Sequence, residues 1–363
     1  MLGRSRLLKA SIRCFSDHLT NTPSSSSHPK VVLAGIQPTG SPHLGNYFGF
    51  IEPWLDIQKN EASDVPLYLS IVDQHAISMG PIIPAEKLRL NTRKMAASLI
   101  ACGIDPKRTT LFRQSDVPEI SQMNWILGSL QTLAQLQRLP QFKDKSTKFS
   151  RGSIPIGLLI YPLLQAADVF TFKGTHVPVG EDQSQHMNLM NNLAFAFNST
   201  YKLEFFPLPK QITRQAHARI RSLRDPRQKM SKSDPSVRGR IDVDDSEAVV
   251  MEKCRKAMSD TITTVSYDKS NRPAISNMIE ILAATTRRSL DETISLSSTW
   301  THTELKDNLT TAINRLLGPI RERLNYYEQR PQELEEILAE NGVRARMAAK
   351  KVLLETRELV GLC

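Results

Sequence analysis

Lys229-Met230-Ser231-Lys232-Ser233 concentrates more chemistry than any other segment of this chain. Two lysines and two serines sit in a loop closed by Asp234-Pro235. Lysine side chains are flexible point charges that reach β- and γ-phosphate oxygens, and serine hydroxyls add hydrogen bonds. Such donors stabilise a departing pyrophosphate most in the transition state, where stabilisation raises a rate. The competing reading is a solvated basic loop. Against it, this pentamer arises by chance in about one chain in ten thousand of this length. A second candidate is His43-Leu44-Gly45-Asn46, which follows Gly35-Ile36-Gln37-Pro38-Thr39-Gly40. The order is strand, turn, helix start. A helix start offers unpaired N–H groups and the positive end of a dipole, which suit phosphate. Gly45 lets a flat ring or a phosphate approach the backbone. His43 and Asn46, three apart, share a face and can both donate. Taken alone, this turn is a weak signal and reads more often as a structural helix start.

These residues need elements to hold them. Val31–Ile36, Pro66–Val72, Thr109–Arg113 and Thr175–Pro178 are short apolar runs that predict strands. Between and after them, His43–Asn60, Pro84–Cys102, Pro118–Gln137, Ile154–Val169 and Glu181–Phe197 carry helical spacing. The alternation predicts an α/β fold, a parallel sheet covered by helices, with ligands at the carboxyl ends of the strands. After about Asp234 only helices are expected: Ser246–Met258, Ile275–Ala284, Thr303–Leu317, Ile320–Tyr327 and Pro331 onward. The expected domains are 31–235 and 236–363. No GxxxxGK[ST] loop is present in the N-terminal third, which disfavours a P-loop ATPase.

The first 30 residues read as an address. Arg4, Arg6, Lys9 and Arg13 alternate with Leu7, Leu8, Ile12 and Phe15, serine is abundant, and Asp17 is the only acid. That is the composition of a mitochondrial transit peptide. The chain of 363 residues carries a net charge of +10. The excess points to an anionic partner, but it is uneven. Residues 207–240 hold ten Lys/Arg against two acids, whereas residues 241–363 hold 17 against 20. Cys14, Cys102, Cys254 and Cys363 are too far apart for a zinc motif or a disulfide framework. The longest apolar run, around Ile154–Leu164, is too short and Pro-interrupted to cross a membrane.

HxGN followed by KMSKS, on these elements, resembles the class I aminoacyl-tRNA synthetases. The first signature usually ends in His, and Asn46 in that place is typical of the tryptophanyl branch. Gly35–Gly40, Val72-Asp73-Gln74-His75 and Gly180-Glu181-Asp182-Gln183 also resemble that branch. With the leader, the resemblance is to its mitochondrial type and runs from about Val31 to the C-terminus. It implies a Rossmann-like catalytic domain followed by a helical anticodon-binding domain. It also implies activation of L-tryptophan by ATP with release of pyrophosphate, then transfer to the 3′ end of tRNA(Trp) in the mitochondrial matrix. Displacement at phosphorus makes positioning and electrostatics the source of catalysis.

By resemblance, His43, Asn46, Lys229 and Lys232 are the catalytic group. Gln37, Leu44 and Gly45 join them on ATP, Leu44 through its backbone. Gly180, Glu181 and Asp182 hold the ribose, Ile220 meets adenine, and Met230, Ser231 and Ser233 complete the pyrophosphate loop. Lys145 is a further basic residue near the phosphates. Asp168 lies seven residues after Tyr161, on the same helix face. Indole N–H only donates and a carboxylate only accepts, so Asp168 in an apolar pocket would select tryptophan. Tyr161 and Gln183 are the candidates for the α-amino group, His75 and Val177 for the pocket wall. Magnesium is expected with ATP, and no protein metal site is expected. The resemblance also implies a homodimer, with its seam at the helices around Pro118–Gln137. A tyrosyl enzyme, a nucleotidyltransferase and a non-catalytic RNA-binding protein are the alternatives. Any tRNA contact in the acidic helical region needs a local patch, such as Arg344, Arg346, Lys350 and Lys351.

Overall fold

The computed structural model describes residues 28–80, 83–147, 149–150, 153–180, 184–212, 220–232, 234 and 236–362. Five short strands build one sheet: β1 (Val32–Ile36), β2 (Leu67–Ile71), β3 (Thr110–Arg113), β4 (His176–Pro178) and β5 (Lys210–Ile212). All pairings are parallel and the order is β3-β2-β1-β4-β5. Helices cover it. Those between the strands are α1 (Leu44–Asn46), α2 (Glu52–Asn60), α3 (Asp73–Ala76), α4 (Ala85–Ala101), α5 (Glu119–Gly128), α6 (Leu133–Gln137), α7 (Pro140–Ser146), α8 (Ile156–Phe170) and α9 (Ser184–Tyr201). Those after the sheet are α10 (Glu247–Arg255), α11 (Pro273–Thr286), α12 (Leu290–Ser297), α13 (His302–Glu328) and α14 (Pro331–Val360). This is the expected Rossmann-like α/β fold with a helical C-terminal region. The strand order reverses between β1 and β4, so a crevice opens beyond their carboxyl ends.

The central strand shows how the layers are filled. Successive side chains of a strand point to opposite faces. Val32 and Ala34 belong to one buried cluster with Trp54, Phe48, Ile279, Leu309 and Leu317, while Leu33 belongs to another with Phe112, Phe170, Phe197 and Met190. The C-terminal helices serve both faces: α11 and α13 in the first layer, Ala345 and Ala349 of α14 in the second. Helix α14 also covers edge strand β3. Asn341 Oδ1 accepts from the Leu111 N–H at 3.1 Å, which satisfies an edge donor that is costly to bury unpaired.

Several elements differ from the expectation. The helix expected over His43–Asn60 is one α-turn, then a π-turn over Tyr47–Ile51, then α2. Pro53 is the cause at hand, since its ring would clash with the carbonyl four residues earlier in a regular helix. Pro118–Gln137 divides at Gly128. Thr132 starts α6 with a capping box to Gln135, a signal present in the sequence. Conversely, α13 runs through Gly318-Pro319 as one helix, because Leu317 and Ile320 on either side are buried in the same core. Strand β5, three residues long, and helices α7 and α12 were not anticipated.

Candidate active site

The turn after β1 delivers His43 to the start of α1. Here the Asn46 N–H donates to His43 Nδ1 and the His43 N–H donates to Asn46 Oδ1, each at 3.2 Å. A backbone N–H can only donate, so Nδ1 carries the lone pair and the ring proton sits on Nε2. Burial, aided by the charges of Lys232, Arg240 and Lys229, lowers the His43 pKa to about 4. His43 is therefore a neutral ring with a fixed Nε2–H donor. Asn46 holds that tautomer as well as standing in the motif.

The lysine loop grows from a hairpin. The Met230 N–H donates to the Ile220 carbonyl at 3.1 Å, and the Ser222 N–H to the Gln228 carbonyl at 3.0 Å. Asn277 on α11 clamps its first strand, accepting from the Arg221 N–H at 3.0 Å and donating to the Arg221 carbonyl at 3.1 Å. Asp234 closes the loop. Its carboxylate accepts from Ser222 Oγ at 2.8 Å and from the Ser236 N–H at 2.9 Å.

The chain beyond the loop is stitched to the first motif. The Leu44 N–H donates to the Ile241 carbonyl at 2.9 Å and the Val243 N–H to the Pro42 carbonyl at 2.8 Å. Two motifs nearly two hundred residues apart thus form one surface. Gly45 sits at the contact: a Cβ there would lie 3.0 Å from the His43 ring and 3.5 Å from Met230 Cβ. Lys232 reaches over the turn and donates to the Thr39 carbonyl at 2.8 Å. Its pKa falls to about 8, chiefly through burial and with the Arg240 charge adding, against the opposing pull of Asp242. Lys229 is exposed beside it.

The second half of the site lies beyond β2. Asp168, 4% exposed on α8, has both oxygens engaged. Oδ2 lies 3.0 Å from His75 Nε2, and Oδ1 accepts from Gln114 Nε2 at 2.7 Å. Gln114 Oε1 accepts from the N–H groups of Gln74 and His75 at 3.2 and 3.4 Å, which fixes the orientation of its amide. A carboxylate has about four lone-pair positions, so Asp168 can accept one more donor from the pocket. Tyr161 is one face of the same enclosure. Its ring lies edge-on to His75 at 6.5 Å and to His186 at 5.4 Å, and burial raises its pKa to about 12. Lys145 is placed over the Tyr161 ring, 4.5 Å from its centroid.

Val177 is buried at the centre of β4. Past it, the Gly180 carbonyl accepts from Gln211 Nε2 at 3.1 Å, so β5 steadies the approach to the expected ribose stretch. Glu181, Asp182, Gln183 and Ser233 lie outside the described residues, as does the leader through residue 27. Ile220 is 2% exposed, with its side chain in the core and its carbonyl bonded to Met230. Gln37 is exposed on the turn after β1. Of the basic patch on α14, Arg344 donates to the Pro106 carbonyl and Arg346 to Glu119, while Lys350 and Lys351 are exposed.

Sequence reasoning missed Gln114, Gln165, His186, Asn277 and Arg240. None stands in a contiguous motif.

Residues 25–318 match the tRNA synthetases class I (W and Y) family. The chain is 56% identical over 338 residues to the mitochondrial tryptophan–tRNA ligase of Caenorhabditis elegans, covering 93% of each chain. Its structure is similar to that of tryptophanyl-tRNA synthetase from Mycoplasma pneumoniae, with a TM-score of 0.80, 31% identity, and coverage of 93% of this chain and 99% of that one. It is also similar to the Campylobacter jejuni tryptophanyl-tRNA synthetase complexed with ADP and tryptophan, with a TM-score of 0.78, 30% identity, and coverage of 92% and 100%.

Proposed function

The chain belongs to the tRNA synthetases class I, the family of the tryptophan and tyrosine enzymes, and we propose how its parts carry out the work of a tryptophan–tRNA ligase. It is an aminoacyl-tRNA synthetase, and its substrates are L-tryptophan, ATP and tRNA(Trp). The tryptophan carboxylate attacks the α-phosphate of ATP and pyrophosphate leaves; the activated tryptophan then passes to the 3′ end of the tRNA. His43 Nε2–H and the start of α1 donate to the phosphates, Lys229 and Lys232 follow the charge onto pyrophosphate, and Glu181 and Asp182 take the ribose. Asp168 accepts the indole N–H. Magnesium arrives with ATP as its counter-ion.

The observation that carries this reading is the pair of half-sites. Lys232 and His43 share one end of the crevice, and Asp168, held by Gln114 and His75, lies beyond β2. Its test is ATP–pyrophosphate exchange followed by charging of a mitochondrial tRNA extract. Exchange should need tryptophan and ignore tyrosine. Exchange driven by tyrosine alone overturns it.

Three finer points belong to the proposal. Residues 31–235 form the catalytic domain and 236–363 read the anticodon, with 1–30 as the import leader to the mitochondrial matrix. The chain works as a homodimer. Support comes from Trp125 on α5 and Leu133 on α6, large apolar residues that are 81% and 60% exposed on the expected seam. No described helix is long and apolar enough to cross a membrane.

A further inference from the structure

His186, on α9, is 1% exposed and meets the pocket through Tyr161. Its Nδ1 lies 2.7 Å from Gln165 Oε1, and its Nε2 lies 3.4 Å from Tyr161 Oη. An amide oxygen can only accept, so Nδ1 carries the proton. In the neutral ring Nε2 is then an acceptor, and the phenol must donate to it. That direction leaves the lone pairs of Tyr161 Oη to accept from elsewhere. Burial keeps the phenol protonated through the working pH range. Lys145 over the ring and His75 at its edge restrict how the ring can turn.

We propose that His186 is a positioning residue for amino-acid recognition: with its tautomer set by Gln165, it takes the Tyr161 hydroxyl proton and so presents the phenol oxygen as an acceptor for the substrate α-ammonium. The inference rests on the assignment of Tyr161 to the tryptophan α-amino group. The long contact at 3.4 Å is expected to tighten once a ligand fixes the phenol.

Two substitutions split the two ring nitrogens. His186→Asn keeps a polar group near the Nδ1 position and loses the acceptor at Nε2. His186→Gln reaches the Nε2 position and restores an acceptor for the phenol. The readouts are the KM for L-tryptophan in ATP–pyrophosphate exchange and the competitive inhibition constant of 3-(indol-3-yl)propanoate, which lacks the α-amino group. His186→Asn should raise the KM for L-tryptophan about three- to tenfold, the size of one hydrogen bond, and leave the inhibition constant unchanged. His186→Gln should recover most of that loss. Tyr161→Phe should show the same selectivity, and adding His186→Asn to it should cost nothing more.

Equal weakening of both ligands by His186→Asn, or additive losses in the double variant, overturns the inference. If Tyr161→Phe is selective while His186→Asn is not, only the role of His186 falls. If Tyr161→Phe is not selective either, the assignment of Tyr161 falls and takes this inference with it.

Discussion

Lys232 should give the enzyme an alkaline limb that appears in one kinetic constant and fades in another. In the free chain its ammonium is half-buried against the Thr39 carbonyl, and its pKa is lowered to about 8. With that value, ~90% of molecules carry the charge at pH 7, about half at pH 8 and ~10% at pH 9. If only the charged form engages the polyphosphate, kcat/KM for ATP falls roughly tenfold between pH 7 and 9, because that ratio titrates the free enzyme. Bound ATP brings negative charge and raises the ammonium pKa, so kcat at saturating ATP should stay flatter over the same range. The assay is ATP–pyrophosphate exchange at saturating tryptophan. Lys232→Arg is the control, since a guanidinium keeps its charge at every pH tested. Its kcat/KM should lose the limb while any titration of the substrate's own ammonium persists. Lys232→Ala should slow activation ~10²–10³-fold, the usual loss for one transition-state donor. A wild-type kcat/KM that stays level to pH 9, or an identical limb in the Arg variant, refutes the reasoning.

Other expectations follow from the same geometry. Asp168→Asn should raise the KM for tryptophan roughly 10- to 150-fold, the range for a hydrogen bond to a charged group, and leave the KM for ATP in place; equal losses would make Asp168 a scaffold acid. Gly45→Ala puts a methyl 3.0 Å from the His43 ring and should cost ~1–3 kcal/mol of stability, read from urea midpoints, together with a fall in kcat/KM for ATP. No change in either would mean the close approach is dispensable. His43 is neutral when folded, with its pKa at about 4, against 6.5 for the ordinary ring. Between those values the unfolded chain binds a proton that the folded chain refuses, so stability is lost as pH falls from 6.5 toward 4, by at most ~3 kcal/mol. His43→Asn should flatten that slope, and an unchanged slope would show that His43 does not set it.

How much of this was legible depended on whether a feature lies along the chain or across it. The strand–helix alternation and both nucleotide motifs are contiguous, so spacing and residue type exposed them before any fold was known. The tryptophan end is assembled across the fold. Gln114 follows β3, His75 follows β2, Asp168 is on α8 and His186 on α9. A lone glutamine carries no periodic or compositional mark, yet it orients the one carboxylate that matters here. Only the resemblance singled out Asp168 and His75, and nothing singled out Gln114, which holds the other carboxylate oxygen. Short elements escaped for a different reason. Three residues of β5 cannot show an alternation, and the parallel pairing to β4 decides their state.

The concentration of positive charge in residues 207–240 is also resolved by position. Arg221 donates to the Pro226 carbonyl, Arg224 to the Lys256 carbonyl, Arg238 to Glu252 and Arg240 to Asp242. These four hold the hairpin, the turn after the loop and the strand that meets Leu44. Their bonds fix their heads; Arg221 and Arg224 keep their field because their acceptors are neutral carbonyls, whereas Arg238 and Arg240 are paired with carboxylates. Lys232 differs in kind. Its partner is a single carbonyl on a surface turn, a bond that phosphate oxygens can replace with a stronger, charge-assisted one. The same arginines that brace the loop lower the cost of bringing a polyanion to it, and Arg240 helps to depress the Lys232 pKa until that anion arrives. Removing Arg240 should therefore loosen the loop and raise the Lys232 pKa together. In Arg240→Gln the alkaline limb of kcat/KM should move to higher pH while its height falls, and a limb that stays at its wild-type position would separate the two effects.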